Sequence, residues 1–519
     1  MNRYKIKYKI AVTSLAALLS LQLCACAGQN AEDQTTGGDS CADNYEITAT
    51  ADTSASDEYS ADVTFTFDET SISVSGENDG YEISGTDLKI DSPGTYLITG
   101  TCGDGSVTVK KGTTDVILLL DGIDLTSSDT APIVCAKSTQ VKIVAMSGSE
   151  NTLTDSTQNN DEEYSDNTNA ENAVIKCKDG SNVTICGNGT INIISNGKNG
   201  IKSGASTDTE GEASLTIKEV TLNISASVND AINAEQLLNI ESGTLNISAA
   251  DDAIHSDIEL NIGAEDTDGP SITISSSVEG IEAASLNIIS GDINITSSDD
   301  CLNAANSDLG NYDFVINISG GSINAYTSDG DGFDSNGDLN ISGGQVIVWS
   351  ANMADNQPLD ADGTINVTGG VVLAAGASNG MGSTISADQA YVTFGSSMGT
   401  PGAAGTINDG DTISINDNNG NEIFACVAMC NAQYVFFSSG DLTDGTDYSL
   451  YVNGTSIASA TSQTGTASSG GTNNMGGGMN GGMEGGMNGG MDMPGGDGRG
   501  ADDMPKDPSG MQGMQQPDF

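Results

Sequence analysis

The chain is poor in positive charge. Its 519 residues include 16 lysines and arginines against 72 aspartates and glutamates, which gives a formal net charge of −56. A chain this acidic repels nucleic acid and anionic membrane surfaces, because both carry negative charge. The charge balance therefore excludes nucleic acid and favours cations or neutral molecules as partners.

Aromatic residues and histidine are also scarce. Aromatics make up 4% of the residues, which suits a narrow core of Ile, Leu, Val and Ala better than a broad globular core. The single histidine is His255 and no Cys-x-x-Cys spacing occurs, so a zinc site is not expected. No lysine or arginine lies between Lys218 and Arg499, which removes the strongest basic side chains from that stretch.

What the chain does have is a five-residue box that returns eight times between Asn199 and Ser383. Its first residue is usually acidic or an amide, its third is apolar, and its fifth is Ala or Ser. Successive copies are separated by 21 to 31 residues and begin at Asn199, Asp230, Asp252, Glu279, Asp300, Asp331, Gln357 and Asn379. A repeat of this length indicates a solenoid, and the variable steps place insertions in loops.

Each repeat also contains apolar–polar–apolar triplets such as Leu238-Asn-Ile240 and Leu286-Asn-Ile288. Alternation of period two predicts short strands, and Gly or Ser-Gly separates neighbouring triplets. Three short strands per repeat predict an all-β right-handed parallel β-helix with three strands per coil. A leucine-rich horseshoe would need a helix or a long convex segment in each repeat, and no helical periodicity is present.

The first residues form a targeting segment. A basic stretch precedes the apolar run Ile10–Leu23, which is too short for a comfortable membrane span. Leu23-Cys-Ala-Cys26 resembles a bacterial lipobox. We therefore expect cleavage before Cys26, lipidation of its thiol, and an extracellular protein that is attached to the bacterial cell membrane by this lipid only. Ordinary secretion is the alternative.

The remaining boundaries follow from composition. The predicted segments are the signal peptide and lipobox at 1–26, a polar tether at 27–60, an N-terminal β cap at 61–105, the β-helix at 106–395, a C-terminal β cap at 396–460 and a Gly/Met-rich disordered tail at 461–519. Caps are expected because the open ends of a solenoid must be covered.

The acidic residues of the boxes stack into columns. Unit charges about 5 Å apart repel by roughly 3 kcal/mol at an effective dielectric near 20, so raised pKa values or bound cations must offset the repulsion. Calcium takes oxygen ligands at about 2.3–2.6 Å, so one ion can bridge carboxylates one strand apart. A solvated acidic face is the alternative. The predicted calcium ligands are Asp230, Asp251, Asp252, Glu279, Glu282, Asp299, Asp300, Asp331, Asp334 and Asp360.

Two aromatic residues occupy equivalent positions before consecutive boxes. Tyr326 ends the segment Ile323-Asn-Ala-Tyr326, and Trp349 ends Val346-Ile-Val-Trp349. We expect both rings to point outward on adjacent coils, where their flat apolar faces could bind sugar rings. A pair that only supports the sheet is the alternative.

Cys135 and Cys177 occupy the fifth position of two degenerate early boxes. Stacked positions about 4.8 Å apart lie within disulfide range, but a buried stack of free thiols is the favoured interpretation. Cys426 and Cys430 could form a local pair.

The acidic boxes, the Leu-Asn-Ile strands, the lipobox and the Gly-Met tail together resemble a clostridial family of carbohydrate-binding β-helix proteins. The resemblance covers roughly residues 61–460. It implies a fold like that of pectate lyases, calcium held by acidic residues of stacked coils, and binding of cellulose-like or pectic polysaccharides without established catalysis.

Three functions stay open at this point. The favoured one is a calcium-dependent polysaccharide-binding surface lipoprotein. The second is a pectate-type lyase, which needs a base near the calcium; only Lys202 and His255 lie near the acidic columns. The third is a structural or adhesive stalk.

Overall fold

The computed structural model describes residues 59–77, 79–351, 356–376, 384–395 and 407–468. These residues contain strands and connecting turns and no helix, which confirms the all-β class. It follows that no described helix is long and apolar enough to cross a membrane. The predicted signal segment, Cys26, most of the tether and the box at Asn379 lie outside the described residues.

The strands are short and follow one another closely along the chain. The first thirteen are β1 (Val63–Asp68), β2 (Ser71–Gly76), β3 (Tyr81–Ser84), β4 (Asp87–Ile90), β5 (Gly94–Cys102), β6 (Ser106–Val109), β7 (Val116–Ser127), β8 (Ile133–Cys135), β9 (Gln140–Ala145), β10 (Glu150–Asp155), β11 (Ala173–Cys177), β12 (Asn182–Cys186) and β13 (Thr190–Ser195). The next thirteen are β14 (Asn199–Ser203), β15 (Ser214–Ile217), β16 (Thr221–Ala226), β17 (Ile232–Ala234), β18 (Leu237–Ile240), β19 (Thr244–Ala249), β20 (Ile254–Ile262), β21 (Ser271–Ser276), β22 (Ile281–Ile288), β23 (Asp292–Ser297), β24 (Leu302–Ala304), β25 (Val315–Ile318) and β26 (Ser322–Thr327). The last twelve are β27 (Phe333–Ser335), β28 (Asp338–Ile341), β29 (Gln345–Ser350), β30 (Ile365–Val367), β31 (Val371–Gly376), β32 (Thr384–Phe394), β33 (Thr412–Asp417), β34 (Glu422–Val427), β35 (Tyr434–Ser439), β36 (Asp447–Val452), β37 (Thr455–Thr461) and β38 (Gln463–Ser468).

Three ladders of parallel strands run through the repeats. The box ladder joins β8, β11, β14, β17, β20, β22, β24 and β27. The second ladder is called the amide ladder, because asparagines such as Asn261 and Asn287 recur on its strands. It joins β9, β12, β15, β18, β20, β22, β25, β28, β30 and β32. The third ladder joins β10, β13, β16, β19, β21, β23, β26, β29 and β31.

Register follows the repeated apolar residues. Ile232, Ile254 and Ile281, each at the third position of a box, are aligned on neighbouring strands, and all three are fully buried. Side chains alternate between the two faces of a strand, so the apolar residues of the three ladders meet in one continuous core. The residues between them face outward, which is where the polar positions of the box lie.

Residues 61–105 do more than cap the repeats. The hairpins β1–β2 and β3–β4 are antiparallel, but β1 pairs with β5, β4 with β6 and β5 with β7 in parallel. The parallel ladders therefore begin before residue 106, where the β-helix was predicted to start, because alternating apolar residues such as Leu88 and Ile90 continue the same buried core.

The C-terminal part of the described chain is antiparallel. Strands β33, β34, β36 and β37 form a separate four-stranded sheet, here called the C-terminal sheet, while β35 pairs with β31 and β38 pairs with β32. A second apolar cluster includes Trp349, Leu373, Phe437 and Leu450. Residues 463–468 form β38, so they are not part of a disordered tail, because β32 provides them with backbone partners.

The stacked cysteines are aligned as expected. Cys135 and Cys177 are register partners on β8 and β11, and both are buried free thiols. Cys426 and Cys430 are also free. The interpretation as buried thiols therefore agrees with this structure.

Candidate functional site

Both polar positions of a box come together because the first one lies in a turn. In the copy at Asp230 the strand β17 begins at the third position, so Asp230 precedes the strand and Asn233 points outward from it. Asn233 Nδ2 donates a hydrogen bond to Asp230 Oδ2 over 2.6 Å. The first and fourth positions thus form two adjacent columns along the outer face of the box ladder.

The column of fourth positions is continuous in register. Its members, from the first repeats to the last, are Lys202, Asn233, His255, Glu282, Asn303 and Asp334. The stacking that the repeated boxes predicted is therefore present. The first three members include the basic residues Lys202 and His255, and the last three include the acidic residues Glu282 and Asp334, because the sequence changes at a position whose geometry stays the same.

The acidic end of the columns holds three carboxylates in one group. Asp331, Asp334 and Asp360 can each direct an oxygen to within 4.8 Å of the others. Burial, with neighbouring carboxylates adding to it, raises the pKa of Asp331 to about 7 and that of Asp334 to about 6. Asp331 also accepts a hydrogen bond from the backbone N–H of Gln357. This group is called the carboxylate cluster below.

The middle of the columns contains an amide between acids. Asn303 Nδ2 donates to Glu279 Oε2 at 2.7 Å and to Glu282 Oε2 at 3.0 Å. Asn303 is only 7% exposed, and its Oδ1 has no hydrogen-bond partner among the described residues. A buried acceptor without a partner is costly, and a cation at this place would remove that cost.

The carboxyl groups around Asn303 are protonated more readily than ordinary ones. Burial, followed by Glu279, raises the pKa of Glu282 to about 9. Burial raises the pKa of Asp300 to about 8, although Asp300 Oδ1 accepts a hydrogen bond from the N–H of Asp331 at 2.7 Å. The ionised forms of these carboxyls are therefore disfavoured, first by burial and then by the neighbouring acids.

His255 provides an internal cation in the earlier repeats. Its Nδ1 lies 3.3 Å from Asp252 Oδ2 and 3.3 Å from Glu282 Oε1, and its Nε2 lies 2.8 Å from Asp257 Oδ1. Burial acts against the charged imidazole, but these carboxylates outweigh it and raise the pKa of His255 to about 10. The imidazolium therefore partly neutralises this segment of the columns.

The other predicted ligands lie beside these groups. Asp230 Oδ1 accepts the backbone N–H of Asp252 at 3.3 Å, and burial raises the pKa of Asp230 to about 6. Asp251 and Asp299 are exposed and belong to neither of the two three-residue groups, Asp252–His255–Glu282 and Asp331–Asp334–Asp360. Asp251 and Asp299 therefore lie at the edge of the candidate site.

The donors of the carboxylate cluster fit a hard cation. All are carboxylate oxygens, which calcium prefers, and oxygens within 4.8 Å of one another can share one ion at about 2.3–2.6 Å. No lysine or arginine lies between Lys218 and Arg499, so these repeats contain no such counter-charge. The group Asp252–His255–Glu282 fits a cation less well, because its imidazole is held protonated.

Two amides join the candidate ligands that were predicted from the sequence. Asn233 and Asn303 each carry a buried Oδ1 without a hydrogen-bond partner among the described residues. Their signal was available, since both occupy the fourth position of a box whose first residue is an aspartate. An amide oxygen is also a calcium ligand, so the set of candidate ligands includes these two residues.

The expectation for the aromatic pair is wrong in one respect. Tyr326 and Trp349 are register partners on β26 and β29, as predicted, but Trp349 is fully buried. It points outward from the third ladder into the second apolar cluster, where residues such as Leu373 and Phe437 cover it. Tyr326 packs against the same cluster and is partly buried. Trp349 therefore stabilises the packing of the C-terminal part and offers no face to a sugar.

Comparison with known proteins gives a family and two similar proteins. A family model described as "Carbohydrate-binding domain-containing protein" matches residues 84–380, which is more than half of the chain. A carbohydrate-binding domain-containing protein of Acetivibrio thermocellus is 37% identical over 130 residues, which is 25% of this chain and 44% of that protein. The chain thus spans less than half the length of this relative.

A solved structure is also similar in part. The polysaccharide lyase-like protein from C. thermocellum, solved as a gadolinium derivative, is 23% identical over 59% of this chain and 90% of its own, with a TM-score of 0.29.

Proposed function

Because the chain belongs to the family of carbohydrate-binding domain-containing proteins, we propose that it binds a plant-type polysaccharide, cellulosic or pectic, through the acidic columns of the box ladder, with calcium holding the stacked carboxylates together. The observation that carries this proposal is the carboxylate cluster, whose oxygens lie within 4.8 Å of one another.

A bound cation would stabilise the columns at neutral pH. Asp331 and Asp334 have raised pKa values, so their ionised forms are disfavoured in the protein without metal. A divalent cation reverses this preference by attracting both carboxylates. Calcium takes six to eight oxygen ligands, so positions beyond the protein ligands are available to sugar hydroxyl or carboxylate oxygens.

Catalysis as a lyase is the less favoured function. Of the two candidate bases, Lys202 Nζ lies 3.2 Å from Glu235 Oε1 in an ion pair. His255 is surrounded by carboxylates and has a pKa of about 10, so it holds its proton at neutral pH and does not accept another. A lyase needs an unprotonated base beside the C5 proton of the sugar.

The proposal is tested by retention on insoluble polysaccharide. Full-length protein is applied to cellulose and to pectin with calcium or with a chelator, and the bound fraction is measured. Asp331→Asn with Asp334→Asn is expected to lower retention strongly in calcium, because two charged ligands of the cluster are lost. The matched control is Asp308→Asn with Asp313→Asn, which removes the same charge from exposed positions outside the columns.

Two results would count against this function. Wild-type protein that is retained equally with and without chelator would remove calcium from binding. Protein that is retained on neither polysaccharide would remove carbohydrate binding itself. Unsaturated uronate released from pectin, and lost in Lys202→Ala, would instead favour the lyase.

We also infer that the three parallel ladders are the three faces of a right-handed parallel β-helix, with one strand per face in each coil. Support comes from the continuous core between the ladders and from the strong right-handed preference of parallel crossovers. The carboxylate columns would then run along one face of this helix, parallel to its axis.

We further propose that a lipid on Cys26 attaches the mature protein to the outer surface of the cell membrane. The basic and apolar residues before Leu23-Cys-Ala-Cys26 support it. Mass spectrometry of the membrane fraction is expected to find a diacylglyceryl group on Cys26. A water-soluble Cys26→Ala variant with unchanged polysaccharide binding would agree, whereas an unmodified wild-type thiol would contradict the proposal.

A further inference from the structure

A cavity of about 380 Å³ lies between the third ladder and the C-terminal sheet. Its floor comes from β26 and β29, and its other wall from β34 and the residues that follow. The volume falls within the range of small-molecule sites. The family match ends at residue 380, so one wall belongs to the matched region and the other does not.

The floor of the cavity carries polar side chains. Ser322 and Asn324 on β26, with Gln345 on β29, line it from outward-facing positions. Within the described part of the chain, neither amide takes part in a side-chain hydrogen bond, unlike the amides of the amide ladder, which bond to one another. The amides of Asn324 and Gln345 are therefore available to an incoming ligand.

The opposite wall is apolar. Val427 is 58% exposed, which is unusual for a residue of its size in this structure. Met429 extends this apolar wall, and Ile347 of β29 adds an apolar side chain to the floor; both pack against the second apolar cluster. The buried Trp349 belongs to the same cluster. An apolar wall facing amide groups suits a ligand with both C–H faces and hydroxyl groups.

The cavity also differs from the box columns in charge. None of the described residues that line it is charged, although the chain carries a net charge of −56. A charged sugar would gain no ion pair here, and a cation would find no carboxylate. The lining therefore selects for a neutral ligand.

We propose that this cavity is a binding subsite for a neutral glycan, with the amides of Asn324 and Gln345 bonding to sugar hydroxyls and the Val427 wall contacting the C–H face of a ring. The inference rests on the proposed carbohydrate binding and places one uncharged segment of the polysaccharide away from the acidic columns. It needs no calcium.

The test uses the full chain and cellohexaose as a neutral probe, with affinity measured by titration calorimetry in chelator. Asn324→Ala with Gln345→Ala is expected to raise Kd by about tenfold, because two hydrogen bonds are lost. Val427→Asp is expected to weaken binding at least as much by placing a charge in the cavity. The control is Asn246→Ala, which has the same register position on the third ladder, donates to Asn223 Oδ1 and does not line this cavity. Melting temperature and calcium response are measured for every variant to confirm an intact fold.

The outcomes separate this subsite from the proposed function. Cellohexaose binding that is unchanged in both cavity variants would overturn the subsite and leave the calcium-dependent function intact. Binding of polygalacturonate without any binding of cellohexaose would do the same. A wild-type protein that binds neither glycan would overturn both proposals. Weakening confined to the cavity variants supports the subsite.

Discussion

The asparagines of the amide ladder and the polar residues of the box columns follow the same repeats. The two sets differ in whether side chains on neighbouring strands can form hydrogen bonds with one another. In the amide ladder, Asn261, Asn287, Asn317, Asn340 and Asn366 each donate from Nδ2 to the Oδ1 of the asparagine one repeat earlier, over 2.9–3.1 Å. An amide has both donors and an acceptor, so asparagines stacked one strand apart form a continuous series of hydrogen bonds along the ladder.

The box columns have the same spacing but lack donors. An ionised carboxylate only accepts, so Asp331, Asp334 and Asp360 cannot bond to one another and need protons or a cation. Earlier in the columns, His255 and the amide of Asn303 supply donors to acidic neighbours. The same repeat geometry therefore gives a face whose asparagines satisfy one another and a face whose aspartates need protons or a cation.

The largest expected difference between the two columns is in the pH dependence of the metal-free protein. The pKa values of Asp300 and Asp331 are raised to about 8 and about 7, so the folded chain binds more protons than the unfolded chain. Stability is then greatest below about pH 4 and falls as pH rises toward about 8. At about 1.4 kcal/mol per pKa unit, each of these two carboxyls corresponds to a loss of about 4–6 kcal/mol, which is measured by urea unfolding in chelator.

His255 contributes with the same sign at higher pH. Its raised pKa adds stability that is present below about 6.5 and is lost as pH approaches about 10. Metal-free protein whose stability is constant or rises between about pH 4 and about pH 8 would show that the carboxylates are solvated and independent.

The second effect is stabilisation by calcium. An ion that binds the folded columns and not the unfolded chain stabilises by RT ln(1 + [L]/Kd), about 2.7 kcal/mol per site at a hundredfold excess over Kd. Calcium is therefore expected to raise the melting temperature at neutral pH and to flatten the pH dependence. Asp331→Asn should remove most of the response, while Asp308→Asn should leave it unchanged. A melting temperature that does not change with chelator would contradict calcium binding and would indicate an acidic face that is only solvated.

Much of the stacking of residues along the ladders could be predicted from the sequence. The repeated boxes fixed which residues stack, and the register of Ile232, Ile254 and Ile281 follows them. The pairing of Tyr326 with Trp349 was equally available from the repeated strands. These features depend on neighbours at a constant repeat, and such local periodicity is written directly into the sequence.

The coverage of Trp349 could not be predicted in this way. The strand pattern shows that its side chain leaves the core between the ladders, but not that residues far along the chain, such as Phe437, cover it. The start of the parallel ladders was also misplaced, because β4 and β5 lack the box while keeping the alternating apolar residues. Contacts between a repeat and a non-repeating part carry no periodic signal.

A third, smaller effect is expected from changing one acid into an amide. Asp300→Asn keeps an acceptor for the N–H of Asp331 and removes a charge whose burial is unfavourable. In chelator at about pH 8 the variant should be more stable than wild type, because it avoids the cost of ionising Asp300, which is one part of the total loss expected for the carboxyls. At about pH 4 the two proteins should be nearly equal, which serves as the internal control. A variant that is less stable than wild type at both pH values would assign Asp300 a structural role that needs its charge.

The smallest effect is expected from the reverse exchange, Asn317→Asp. Asn317 Nδ2 donates to Asn287 Oδ1 at 2.9 Å, and its own Oδ1 accepts from Asn340 Nδ2 at 3.0 Å. Aspartate keeps the second bond but, when ionised, faces the Asn287 oxygen without a donor, which should cost about 1 kcal/mol at neutral pH. At about pH 3 the protonated carboxyl can donate again, so the loss should shrink.

Calcium should not rescue the variant, because one carboxylate among amides has no charged neighbour one repeat away to share an ion. Unfolding curves at both pH values, with and without calcium, measure this, and a loss that calcium reverses would show that any stacked acid on this scaffold, and not the arrangement of the boxes, creates the cation site.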